Sequence, residues 1–293
     1  MWTLLHISRL HITAIAAMGV FTFGWLLTGS YPWLLTIICA FDWFIVNLIN
    51  NIADLKEDQA NSITGTAFIR RNGRKLLYGT ISLLIISIVI VHLLNPAITS
   101  LRIFGYLLGI FYSWPLLPKK RRLKELYFWK NSASALGFLI TVFGYPLATA
   151  YHNNGFIQFP AGISWMTVLF SCVFFSLFEV SYEIIYDLRD IKGDTIARLR
   201  TYPVVHGEFT SVYIIDILLF CSVMTLCLGY LLGIVPWRIF IMTGAPVLQF
   251  ILYKKFLRRG ISIKDCIIIT WSGVSMFIVF NLWVLAGLPG VNS

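Results

Sequence analysis

Asn47-Leu-Ile-Asn50-Asn51-Ile-Ala-Asp54-Leu-Lys56-Glu57-Asp58 closes a long apolar run, and Glu183-Ile-Ile-Tyr186-Asp187-Leu-Arg189-Asp190-Ile-Lys192-Gly-Asp194 closes another in the second half of the chain. Aligned position by position, Asn47 matches Glu183, Asn51 matches Asp187, Asp54 matches Asp190, Lys56 matches Lys192 and Asp58 matches Asp194. Carboxylates are scarce in this sequence. Of its thirteen Asp and Glu residues, seven (Asp54, Glu57, Asp58, Glu183, Asp187, Asp190 and Asp194) fall in these two stretches. One acidic device therefore occurs twice, each time at the end of a hydrophobic segment.

The segments between them are those of a membrane protein. The 293 residues are 58% hydrophobic, 16% aromatic and only 12% charged, well outside the composition of a soluble domain. A hydrocarbon core about 30 Å thick needs roughly 20 apolar residues per helical crossing. Nine runs are candidates: 12–29, 31–53, 76–94, 102–117, 127–150, 164–187, 209–232, 236–253 and 265–286. The predicted fold is an all-α polytopic bundle of nine transmembrane helices with an internal repeat, in which the second and third spans correspond to the sixth and seventh. No linker or low-complexity tract divides it, so residues 1–293 are expected to form a single domain.

The net charge of +10 reports topology rather than nucleic-acid binding. Lys and Arg concentrate in alternate loops, five between spans two and three, five between four and five, four between six and seven, and five between eight and nine. The opposite loops carry only Arg102 and Arg238. The positive-inside rule then places the amino terminus, the basic loops and both acidic stretches in the cytoplasm. The first run follows a short tail carrying Arg9, as a signal peptide does, but Leu27-Thr-Gly-Ser30-Tyr-Pro32 is a poor cleavage site, and the run reads as a span. Trp25, Trp33, Trp165 and Trp237 near outer span ends, and Trp2 and Trp129 near inner ones, read as interfacial anchors. The five cysteines lack metal or redox spacing and read as packing residues.

On a helix, Asn50, Asp54 and Asp58 form a stripe, as do Glu183, Asp187, Asp190 and Asp194. Like charges crowded on one face repel unless a cation joins them. Magnesium favours oxygen ligands and is usually held by one or two carboxylates, water and phosphate oxygens. Two such helix ends facing each other suit a diphosphate with Mg2+. Alternatively, they are solvated helix ends paired with Lys56, Arg189 and Lys192.

These residues resemble the UbiA superfamily of intramembrane prenyltransferases. Its first motif, NDxxDxxxD, is matched by Asn50-Asn51-Ile-Ala-Asp54-Leu-Lys-Glu-Asp58, with Asn51 where an aspartate is usual. Its second, DxxDxxxD, is matched by Asp187-Leu-Arg-Asp190-Ile-Lys-Gly-Asp194. Tyr112-Ser-Trp-Pro115 before Lys119-Lys120-Arg121, and Thr201-Tyr-Pro203-Val-Val-His-Gly207, are similar to further family segments, whereas Ile69-Arg70-Arg71-Asn-Gly-Arg74 replaces an Arg-Pro segment common there.

The resemblance implies Mg2+-dependent transfer of a prenyl group from a prenyl diphosphate to an aromatic or lipid acceptor through an allylic carbocation. A cyclase using no acceptor, or a transporter with repeated acidic gates, are the competing readings. Catalysis is then expected of Asp54, Asp58, Asp190 and Asp194, with Asn50 and Asp187 completing the metal ligands. Arg9, Arg70, Arg71, Lys119, Lys120 and Arg198 are the candidate diphosphate partners. Tyr112, Tyr182 and Tyr186, whose rings stabilise cations, line the expected pocket with Glu179 and Glu183. Asp42 and Glu179 lie inside predicted spans, where a carboxylate faces a partner or a cavity by default. Gly105, Gly109, Gly137 and Gly144 either leave room for a lipid tail or let helices pack closely.

Overall fold

The computed structural model describes residues 9–60, 63 and 65–287, which excludes Trp2. Among these residues the chain is helical throughout, with an isolated bridge between Leu117 and Arg121 as its only β pairing. Eight helical segments are long and apolar enough to cross a membrane: Leu10–Thr28, Trp33–Ala53, Thr66–Leu94, Trp129–Asn154, Trp165–Ile196, Tyr202–Leu231, Trp237–Leu257 and Ile263–Leu285. The chain is an integral, multi-pass membrane protein. The segment predicted as a fourth crossing is a helix, Thr99–Ser113, of 15 residues. At 1.5 Å per residue it is about 22 Å long, short of the hydrocarbon thickness.

The helices are labelled in chain order: α1 Leu10–Thr28, α2 Trp33–Ala53, α3 Leu55–Ala60, α4 Thr66–Leu94, α5 Thr99–Ser113, α6 Trp129–Leu139, α7 Tyr145–Asn154, α8 Trp165–Ile196 and α9 Tyr202–Leu231. The remaining three are α10 Trp237–Phe240, α11 Gly244–Leu257 and α12 Ile263–Leu285. Local chemistry sets several boundaries. Ser164 and Ser262 each form a capping box, with Thr167 and Asp265 respectively, which satisfies the first free amides of α8 and α12. Between α6 and α7 the helix takes a π turn, Ile140–Gly144. Pro146 follows it and has no amide hydrogen to donate, and the widened turn carries the Tyr145 amide to Ile140 O.

Two apolar clusters hold the bundle. Phe23, Leu27, Phe138, Val142, Phe143 and Phe175 join α1, α6, the π turn and α8. Ile184, Ile185, Ile215, Tyr253, Phe256 and Ile269 join α8, α9, α11 and α12. Gly24 permits the close approach of α1 to its neighbours, since a Cβ there would lie 2.5 Å from Pro32. The outer surface is apolar too. Ile85, Ile86, Val89, Ile90 and Leu93 of α4 are more than half exposed, a patch suited to lipid rather than water.

Arg102, expected in an outer loop, instead lies on the second turn of α5 and is 2% exposed. Its Nη2 donates to Asp42 Oδ1 at 2.6 Å, and Tyr106 and Tyr145 donate to the same carboxylate at 2.5 and 2.7 Å. Ser87 O accepts from Arg102 Nη1 at 3.0 Å. A buried carboxylate demands such partners, so the charge that would have marked a loop is consumed inside the bundle.

Candidate active site

The first acidic stretch is not one continuous helical stripe. α2 ends at Ala53, Asp54 adopts φ −92°, ψ 12°, and α3 resumes at Leu55. Asp54 N still donates to Asn50 O, and Asp58 N to Asp54 O, at 2.8 and 2.9 Å, so the chain turns without unwinding. Asp54 and Asp58 are 6% and 7% exposed. Lys124 pairs with Asp54 and lies 2.6 Å from Glu57, which Arg122 also reaches at 2.6 Å. Arg9 approaches Asp58 at 3.8 Å, and Ser113 donates to Asn50 Oδ1 at 3.0 Å.

Burial pushes the Asp58 carboxyl up to about 6; Arg9 opposes this, and the negative charges of Asp54 and Asp190 add to it. Asp54 is also raised, by burial that Lys124 only partly offsets. At Glu57 burial acts the same way, but Lys124 and Arg122 outweigh it and hold the carboxyl below its usual range.

The second stretch lies wholly within α8, which places Glu183, Asp187, Asp190 and Asp194 along one side. Asp187 and Asp194 share one counter-ion from α6, the Lys130 ammonium, at 2.8 and 3.0 Å. Asn131 donates to Asp187 at 2.9 Å and Ser134 to Glu183 at 2.6 Å. Asp190 pairs with its neighbour Arg189.

The two stretches meet. α3 packs against α8, and Asp190 lies close enough for its charge to act on Asp58. Beside them opens a cavity of about 150 Å³ whose lining includes Arg9, Asn47, Asn50, Tyr112, Tyr182, Glu183 and Tyr186, continuing through Val46, Gly105, Gly109 and Gly137 to Asp42 and Arg102. The Tyr182 and Tyr186 rings lie 4.9 Å apart, with the Tyr186 hydroxyl 2.9 Å from Thr270 Oγ1. Glu179, expected in this pocket, is not among the lining residues. It is buried one turn before Glu183 on α8, and its Oε1 has no hydrogen-bond partner among the described residues.

Of the basic residues expected at the diphosphate, Arg9 reaches the site. Arg70, Arg71, Lys119, Lys120 and Arg198 are exposed, and none forms a salt bridge among the described residues. Besides Arg9, the cations that meet the acids are Arg122, Lys124, Lys130 and Arg189. Lys130 falls inside the predicted span 127–150, and a charge within a span points to a functional neighbourhood by default; that signal identifies it from sequence.

The donor set is oxygen only, from carboxylates and the Asn50 amide, which suits a hard cation. Among the described residues no three His, Cys, Asp or Glu converge to hold a metal by themselves. Magnesium does not need three, because phosphate and water oxygens usually complete its shell. Asp54, Glu57, Asp58, Asp187, Asp190 and Asp194 are each matched by an ammonium or guanidinium, which shows how strongly this region calls for positive charge.

Comparison with known proteins agrees with this architecture. A sequence model described as the UbiA prenyltransferase family matches residues 10–281. A digeranylgeranylglyceryl phosphate synthase from Natronomonas pharaonis is 38% identical over 66 residues; the match covers 22% of this chain and 24% of that relative, about a quarter of its length. A UbiA homolog from Archaeoglobus fulgidus, solved bound to GPP and Mg2+, superposes with a TM-score of 0.71 at 15% identity, covering 97% of this chain and 99% of that one. The apo structure of a UbiA homolog from Aeropyrum pernix K1 gives 0.66 at 16% identity over 92% and 98%. At these identities the superpositions establish the fold.

Proposed function

The chain belongs to the UbiA prenyltransferase family, and we propose that it transfers a prenyl group from a prenyl diphosphate, with Mg2+, to a hydrophobic acceptor, aromatic or lipid. The observation that carries this reading is the meeting of two buried acidic stretches beside a largely apolar cavity. The solved relative bound to GPP and Mg2+ supports the donor and the metal, and the partial match to a digeranylgeranylglyceryl phosphate synthase favours a lipid acceptor. Residues 1–293 act as one domain. The amino terminus and the site face the cytoplasm, on the strength of the alternating basic loops.

Asp54, Asp58, Asp190 and Asp194 hold the metal, with Asn50 and Asp187 beside them. Bound magnesium supplies a Lewis acid that offsets the charge growing on the departing diphosphate. Arg9, Arg122, Lys124 and Lys130 stand within the acidic cluster and would bind diphosphate oxygens there. Arg70, Arg71, Lys119, Lys120 and Arg198 form an outer basic rim that draws the anion in. The faces of Tyr112, Tyr182 and Tyr186 shelter the allylic carbon as its bond to oxygen lengthens. The apolar wall beyond them excludes water, which would otherwise capture the cation.

The test is incubation of the purified protein in lipid nanodiscs with a prenyl diphosphate, magnesium and a lipid extract, followed by mass spectrometry. A prenylated lipid supports the reading. A terpene hydrocarbon or alcohol formed without an acceptor marks cyclisation instead, and diphosphate left intact contradicts both.

A further inference from the structure

We infer that Gly105, set just above the closed Asp42–Arg102 floor of the cavity, determines which prenyl chain lengths the enzyme accepts. The inference rests on the proposed function and concerns the path of the donor's tail. The cavity has two polar ends. At one are Asn50 and Ser113, beside the acidic stretches; at the other are Asp42 and Arg102.

Along α2 the ends are eight residues apart and along α5 eleven, which at 1.5 Å per residue makes a straight chamber of about 12 to 16 Å. An isoprene unit adds four carbon–carbon bonds of ordinary length, about 5 Å when extended. The straight chamber therefore takes two to three units.

The floor does not yield. Arg102 is 2% exposed and Asp42 5%, and the guanidinium donates from all three nitrogens to groups within the bundle: Asp42, the Ser87 carbonyl and hydroxyl, and the Tyr106 oxygen. A hydrocarbon tail offers nothing to replace these contacts, and separating a buried ion pair is strongly unfavourable.

A longer tail must turn. Gly105 stands one turn above Arg102 on the same face of α5 and lines the cavity, and a Cβ added there would meet no atom within 4 Å. The neighbouring glycines of the same wall differ, since a Cβ at Gly109 would lie 3.2 Å from Val46 and one at Gly137 3.6 Å from Trp43. Those two serve helix packing. Gly105 alone among the three borders unfilled space, and next to it Phe104 is half exposed on the lipid-facing side of α5. The fourth and later isoprene units pass there.

The experiment compares the wild type with Gly105→Leu and Gly105→Ala, using donors of two, three, four and six isoprene units. It measures turnover by mass spectrometry and binding of the same diphosphates with magnesium by titration calorimetry. Alanine and leucine both favour helix over glycine, and a melting curve confirms that each variant is folded. The expected result is a fall of at least tenfold in the ratio of four-unit to two-unit kcat/KM for Gly105→Leu, a smaller fall for Gly105→Ala, and the same order in the binding series. An unchanged ratio in folded variants overturns the inference. If the wild type binds the donors but turns over none, the proposed reaction fails while the binding series still decides the tail path.

Discussion

The Lys130 ammonium lies 2.8 Å from the Asp187 carboxylate, with the Asp187 side chain 2% and the Lys130 side chain 12% exposed, and thereby ties α6 to the acidic face of α8. The same ammonium reaches Asp194 two turns further on. A lysine so placed neutralises a cluster that otherwise carries uncompensated buried charge.

Removing it exposes that charge. Breaking a buried pair by deleting one partner costs about 3–5 kcal/mol, so Lys130→Met is expected to unfold at markedly lower denaturant than the wild type when magnesium is chelated. Adding magnesium with a diphosphate should stabilise the variant more than the wild type, because the metal replaces the missing positive charge. Equal stabilisation of both proteins in a thermal melt would show that Lys130 and the metal do not serve the same carboxylates.

Neutralising one acid in each stretch tests their roles. Asp54→Asn and Asp190→Asn are nearly isosteric, and each is expected to lower turnover at least a hundredfold, the scale on which one electrostatic contact to a transition state acts. Monodisperse, correctly melting protein with full activity would exclude that position from the site.

The raised Asp58 gives a pH dependence. Its proton is held to about pH 6 in the metal-free fold, against an ordinary aspartate near 4. Metal binding needs the ionised form, so binding releases the proton where the group is protonated. Apparent magnesium affinity should thus be flat above pH 7 and fall as pH drops through 6, by up to about tenfold per unit from this one group. Calorimetry in buffers of different ionisation enthalpy reads the released proton directly, and Asp58→Asn should flatten this part of the profile.

The floor pair behaves differently. Arg102→Met alone leaves Asp42 buried and unpaired and should cost about 3–5 kcal/mol, whereas Asp42→Leu with Arg102→Met should recover most of that loss. A double variant no more stable than the single one would mean that the tyrosines and Ser87, rather than the ion pair, hold this region.

Much of this was legible in the sequence. Apolar runs located most helices to within a few residues, but α4 begins ten residues before its run at Thr66, because Arg70, Arg71, Arg74 and Lys75 extend a helix past its hydrophobic part, and polar turns likewise carry α8 nine residues past its run to Ile196 and start α9 seven residues early at Tyr202. The acidic stretches announced themselves by scarcity and matched spacing. Pairing was not legible. Arg102 looked like a loop charge because hydropathy cannot see Asp42 sixty residues away. Lys119 and Lys120 looked like diphosphate ligands because they follow Tyr112-Ser-Trp-Pro115, yet both have positive φ in an exposed turn, while Lys124, four residues on, is 2% exposed against Asp54. Which member of a basic run turns inward depends on the turn, and spacing alone does not encode it.

The central claim is that the two acidic stretches serve a single diphosphate. Anomalous diffraction from crystals grown with Mn2+ and a non-hydrolysable geranyl diphosphate analogue tests it most directly. Manganese peaks are expected on both sides of one diphosphate, against Asp54 and Asp58 on one side and Asp190 and Asp194 on the other. Manganese confined to one stretch, or a diphosphate bound away from both, would contradict the account.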